Sequence, residues 1–251
     1  MKDYIATIVK NEKIAENIHS VTFALDEEPK VRCGQFGNIS VGGTHLLRRP
    51  IAICKTEGNE ITFCYQVKGE GTQKLKTLEA GTKTEVLLPL GNGFYVEENE
   101  KKVALVGGGV GVFPLISVLR QYGKEKEISA YIGYRNKGAV CGVDEFEKAT
   151  KFVAVTDDGS YGEKMNAVQA FAADLQKGNR PDVVLSCGPT PMLRALKALV
   201  EQENLPCYVS LEERMGCGIG ACLVCVCDKT DGKKARVCKD GPVFNANDVI
   251  L

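Results

Sequence analysis

Four cysteines near the C-terminus, Cys217, Cys222, Cys225 and Cys238, place the tightest constraint on how this chain can fold. They lie in EERMGCGIGACLVCVCDKTDGKKARVC, a C-x4-C-x2-C loop followed by twelve residues and a last cysteine. Three thiolates on one tight loop, with a fourth delivered by a neighbouring hairpin, can wrap a two-iron rhomb, and this loop spacing is that of plant-type ferredoxins. The spacing therefore predicts a [2Fe-2S] cluster and electron transfer. Gly216, Gly218 and Gly220 would let the backbone take positive φ and turn its amides toward sulfur. TDGKK reads as the hairpin turn that returns the chain to Cys238. Structural zinc is the competing assignment. Its ribbons present two C-x2-C knuckles, and only one is present here. Cys227 would break the x2 spacing, so it is expected to neighbour the ligands without being one. A zinc-stabilised binding module without redox function is the alternative from another class.

The remaining cysteines fit a reduced compartment. Eleven in 251 residues is an odd number, and no secretion signal precedes them, which argues against a disulfide framework. Cys33, Cys54, Cys64, Cys141, Cys187 and Cys207 are scattered singly and read mostly as small buried hydrophobes. The 32 basic residues balance the 32 acidic ones, so no broad field points to nucleic acid or to anionic lipid. No apolar run approaches the roughly 20 residues needed to cross a bilayer, so a cytoplasmic protein is expected.

The rhythm of the chain changes twice. Up to about Val96, short β-type runs alternate with turns, the pattern of a small antiparallel barrel. Beyond Glu97, strands alternate with amphipathic helices, which indicates a doubly wound parallel α/β sheet. From about Ser210 the chain is rich in cysteine and glycine and ends in short β-like pieces. The expected division is a barrel over 1–98, an α/β domain over 99–208 and a cluster module over 209–251.

Each of the first two segments carries candidate ligand-binding residues. In LLRRPIAIC, an arginine at a barrel strand end could pair bidentately with a pyrophosphate while the extended backbone beyond it lies along a flat ring. Gly69, Gly71 and Thr72 open the helical stretch TQKLKTL, where an anion is favoured. A solvated arginine pair and an ordinary turn are the plain alternative. In the α/β segment, LVGGGVGVFPL places Gly107, Gly108, Gly109 and Gly111 between a strand and a helix, suiting a nucleotide or simply tight packing. VVLSCGPTPML puts Cys187, Gly188 and Pro189 at the carboxyl edge of the sheet, where ligands of such sheets bind. TDDGSYG forms another loop at that edge.

Barrel, GGGxGxxP and CGPxPM in this order resemble the ferredoxin reductase-like flavoproteins. Within that group, RRPIAI, GEGT, GGGVGVFPL, TDDGSYGEK, SCGPTPML and LEERMGCGIGACLVCVC are similar to the electron-transfer subunits of the dihydroorotate dehydrogenase B (NAD+) complex, across essentially the whole chain. The resemblance implies FAD on Arg49, Pro50, Ile51 and Ala52, with Gln66, Val67, Lys68, Gly71 and Thr72 completing its site. It implies cluster ligands at Cys217, Cys222, Cys225 and Cys238, and a nicotinamide cleft between Gly107–Gly111 and Cys187–Pro189. It also implies an FMN-containing catalytic subunit, two copies of each chain in a heterotetramer, and electrons passing from that FMN through the cluster and FAD to NAD+. Dihydroorotate would be oxidised on the partner, since a (β/α)8 barrel alone takes about 250 residues. Related subunits of a hydrogenase or of a ferredoxin:NADP+ oxidoreductase are the alternative. Two departures stand out: Ala52 replaces a usual Ser or Thr, and Met165 stands where glycine is common.

Overall fold

The structure is a computed structural model describing residues 1–251. Six strands, β1 (Lys2–Ala15), β2 (Ile18–Ala24), β3 (Phe36–Ile39), β4 (Arg49–Glu57), β5 (Glu60–Gln66) and β6 (Lys83–Leu90), close into an antiparallel barrel in the order β1-β2-β5-β4-β3-β6. Strand alternation builds its interior. Tyr4, Ala6 and Ile8 of β1 are buried while Ile5 and Val9 face outward. Phe23 and Phe63 meet edge to face inside, with ring centroids 5.9 Å apart. The short helix α1 (Glu70–Leu75) follows β5 and buries Leu75.

The second unit alternates β7 (Lys102–Gly108), α2 (Val112–Tyr122), β8 (Glu127–Tyr134), α3 (Val143–Phe146), β9 (Lys151–Thr156), β10 (Glu163–Lys164), α4 (Ala167–Gln176), β11 (Val183–Cys187), α5 (Thr190–Gln202) and β12 (Cys207–Ser210). The parallel strands lie in the order β10-β9-β8-β7-β11-β12, so the winding reverses between β7 and β11. Such a reversal opens a crevice at the carboxyl ends of the two strands. Helix α2 fills the joint between this sheet and the barrel. It buries Val112, Phe113, Leu115, Ile116, Val118 and Leu119, each contributing about 1.5–3 kcal/mol by leaving water. Helix α4 starts later than the apolar pattern suggests. Asn166 accepts from Gln169 N in a capping box, so the helix begins at Ala167 and Met165 lies before the cap, packed against the core.

The C-terminal segment does not stand apart. A hairpin of β13 (Val226–Asp228) and β14 (Lys234–Arg236) turns through residues 229–233, one residue earlier than the TDGKK stretch expected from the sequence, with Lys234 already in β14. Beyond it, β15 (Val243–Asn245) pairs antiparallel with β12, adding an edge to the sheet of the second unit. Asn92 ties the same stretch to the barrel, donating to Asp240 O at 3.1 Å and Val243 O at 2.8 Å. No helix is long and apolar enough to cross a membrane.

Candidate functional site

All three segments meet at one cleft of about 280 Å³ on the carboxyl edge of the sheet. The barrel supplies Pro50, Ile51 and Ala52 from β4, Gln66 from β5, and Lys68 and Thr72 from the following turn. The α/β unit supplies Val110, Phe113, Pro114 and Cys187. The stretch leading into the cysteine loop supplies Ser210, Leu211, Glu212, Glu213 and Met215. A flat ring system would thus find an apolar floor on β4 and charged groups at the mouth.

Arg49 lies just outside the cleft lining, and its guanidinium packs directly across Gly71. A Cβ at residue 71 would collide with it. A side chain at residue 71 would displace the guanidinium from this position. The Arg49 guanidinium also donates to the Leu47 carbonyl and stands 3.4 Å from His45 Nδ1. Thr72 is engaged in the turn itself: its hydroxyl accepts from Lys68 N at 3.0 Å and Gly69 N at 3.1 Å, and donates to Gly69 O at 2.9 Å. Ala52 brings no hydroxyl to the cleft. Val67 follows β5 without reaching the lining and packs against the barrel core.

The glycine cluster and the Cys187 loop sit against each other at the switch point, where Cys187 pairs in register with Gly107. A Cβ on Gly108 would come within 2.8 Å of Met192 Sδ and 3.3 Å of Pro189 Cδ, and one on Gly111 within 2.6 Å of Gly188 Cα. These glycines let two loops close on each other. Gly109, at φ +55, faces open space. Cys187 is buried, and desolvation pushes its thiol well above the usual range. Several cleft residues gave no sequence signal: Phe36, Cys64 and Tyr65 read as strand core, and Ser210–Met215 as the approach to the cysteines. Only the closure of the barrel onto the sheet brings them here.

The cysteine loop arranges its four thiols in two pairs. Cys217 and Cys222 each donate a backbone N–H to the other's sulfur, and Cys238 N donates to Cys225 Sγ. Six backbone N–H groups point at the sulfurs. Ile219, Ala221 and Cys222 donate to Cys217 Sγ at 3.3–3.4 Å, Cys217 to Cys222 Sγ at 3.4 Å, Gly220 to Cys238 Sγ at 3.1 Å, and Cys238 to Cys225 Sγ at 3.4 Å. Desolvation opposes ionisation of Cys217, yet these donors bring it down to about 6. Cys238, desolvated and beside Cys225, is pushed up to about 12. Two thiol pairs with amides aimed at sulfur suit a two-iron rhomb with two cysteines on each iron.

Gly218 and Gly220 take φ of +73 and +85 as the turn demands. Gly216 does not have positive φ, contrary to expectation. Its role is space, since a Cβ there would stand 3.2 Å from Cys222 Sγ. Cys227 lies on β13 opposite Ala235, buried and outside the two pairs, and burial raises its pKa.

The geometry agrees with the comparisons to known proteins. Residues 212–250 match the model for the iron-sulfur cluster binding domain of dihydroorotate dehydrogenase B. Residues 105–198 match the oxidoreductase NAD-binding domain. The dihydroorotate dehydrogenase B (NAD(+)) electron transfer subunit of Bacillus pumilus is 41% identical, over 100% of this chain and 99% of that protein. That of Clostridium perfringens is 35% identical over 99% and 98%. Among solved structures, an NADH-dependent reduced ferredoxin-NADP oxidoreductase superposes with a TM-score of 0.87 at 28% identity, covering 98% of this chain and 90% of that one. Phthalate dioxygenase reductase shares the fold at a TM-score of 0.68 and 19% identity, over 97% and 77%. With identity running end to end through barrel, switch point and paired thiols, the chain belongs to the family of dihydroorotate dehydrogenase B (NAD(+)) electron transfer subunits.

Proposed function

We propose that this chain is the electron-transfer subunit of an NAD-dependent dihydroorotate dehydrogenase in pyrimidine biosynthesis. It carries electrons from an FMN-containing catalytic subunit through its [2Fe-2S] cluster and FAD to NAD+. The observation that carries the reading is the single cleft in which β4, the Cys187 strand end and the stretch entering the cysteine loop all meet. One chain thereby holds three binding functions within one joint. Bound FAD supplies a centre that exchanges electrons singly on one side and as hydride on the other.

The residues divide that work. Arg49, held across Gly71, takes the FAD pyrophosphate, with Gly71 and Thr72 shaping the turn beside it. Pro50, Ile51 and Ala52 line the flavin, followed by Gln66, Val67 and Lys68. Gly107, Gly108, Gly109 and Gly111 with Cys187, Gly188 and Pro189 form the nicotinamide side. Cys217 with Cys222 and Cys225 with Cys238 hold the two irons. No side chain is assigned as general acid or base. We place the unit boundaries at 1–98, 99–208 and 209–251, and the assembly, two of each subunit, in the cytoplasm.

The test is reconstitution. Purified chain and an FMN-containing dihydroorotate-oxidising subunit should co-purify and together form NADH from NAD+ and dihydroorotate, which neither does at that rate alone. Failure to associate, with a preference for a ferredoxin as donor, would move the chain to another complex.

A further inference from the structure

Asn38 is 2% exposed on β3, in a strand whose other outward residue, Phe36, lines the cleft. Its backbone pairs with Pro50 and that of Phe36 with Ala52, so both flank the flavin-facing stretch of β4. β3 alternates without interruption, so Asn38 projects to the same side as Phe36, and the extra residue in its register against β6 lies on β6. Asn38 Nδ2 donates to the carbonyl oxygen of Cys217 at 3.4 Å, a long bond reaching across 179 residues. The next residue, Gly218, is pressed onto the same amide: a Cβ there would lie 2.8 Å from Asn38 Nδ2. The opposite amide orientation would set two carbonyl oxygens against each other, which fixes the nitrogen toward the loop.

Asn38 Oδ1 is buried and has no hydrogen-bond partner. An unsatisfied buried carbonyl costs stability that a leucine of similar volume would avoid. The protein hydrogen bond of this buried amide runs to the cluster turn, not to the barrel. We propose that Asn38 is a positioning residue for electron transfer, its amide seating the Cys217–Gly218 turn against the β4 strand that lines the flavin. This rests on the functional reading above, and adds to it a residue that fixes the separation of the two redox centres.

The test uses the full chain carrying FAD and cluster, reduced by NADH under anaerobic stopped flow. In Asn38→Leu, FAD and iron content and the hydride step from NADH to flavin should match the unsubstituted chain, while reduction of the cluster slows about tenfold, as expected when a fixed geometry loosens slightly. The electron paramagnetic resonance spectrum of the reduced cluster should also shift. Asn38→Asp sets a carboxylate against the Cys217 carbonyl. It should slow the same step and lower the cluster's midpoint potential. An unchanged cluster-reduction rate in fully loaded Asn38→Leu overturns the proposal. So does loss of iron in both variants with FAD retained, because Asn38 would then hold the loop together without setting distance. An unsubstituted chain lacking FAD or iron would instead defeat the functional reading itself.

Discussion

The two edges of the parallel sheet are built to opposite rules. At the amino edge a polar hollow of about 120 Å³ is lined by Lys102, Glu127, Ser129, Lys151, Asp174 and Asn179. Its central carboxylate is fully engaged: Asp174 accepts from Tyr131 Oη, from Lys151 Nζ at 2.5 Å and from Asn179 Nδ2 at 2.9 Å. At the carboxyl edge the cleft leaves Lys68, Glu212 and Glu213 at its mouth, and three segments of the chain converge on it. A polar hollow whose groups satisfy one another stabilises the fold. A cleft whose groups face open space is where a ligand completes the structure. Substitutions at the two edges should therefore have separable effects.

The largest effect is expected on the carboxyl side. Cys225→Ser should abolish bound iron and the visible spectrum, read by iron analysis and absorbance, because a buried serine cannot replace the thiolate. A full spectrum in that variant would break the pairing of Cys225 with Cys238. Arg49→Ala should weaken FAD binding by roughly 10- to 100-fold, the loss of a charged hydrogen-bonding group, with iron unchanged. Loss of FAD and iron together would mean general unfolding.

Amino-edge changes should do the reverse. Asp174→Ala should lower stability by about 2 kcal/mol in denaturant titration, moderated because Lys151 is 41% exposed, while FAD and iron content stay whole. Desolvation raises the Asp174 pKa, but Lys151, Tyr131 and Asn179 together outweigh it and hold the carboxylate below its ordinary range. A depressed folded pKa gives stability that is present above the unfolded value, about 3.9, and is lost as pH falls through the folded one. Asp174→Ala should remove that part of the acid transition. The smallest change is Cys227→Ser, expected to keep the cluster spectrum and cost about 1 kcal/mol, since a hydroxyl replaces a buried thiol opposite Ala235.

Much of this was legible in the chain before folding. The six barrel strands, the βα alternation and, to within one residue, the 229–233 turn follow from apolar periodicity and turn residues. The cysteine spacing pointed to a two-iron site, and the thiols fall into two pairs. What escaped the sequence depended on distance along the chain. Glu212 and Glu213 reach the cleft only because β12 ends beside β11 on the carboxyl edge, and β15 joins the sheet through a three-residue pairing too short to carry a period. Gly71 read as an anion-binding amide, and the packing of the Arg49 guanidinium across it was not legible in the sequence. The start of α4 turned on the Asn166 and Gln169 cap, a pair of polar side chains that the apolar pattern does not register.

The most direct test of the account is flavin, iron, sulfide and zinc analysis of the purified chain with its visible spectrum. About one FAD, two iron and two sulfide per chain, with a spectrum bleached by NADH, is the predicted result. A colourless preparation holding zinc and no flavin would contradict it.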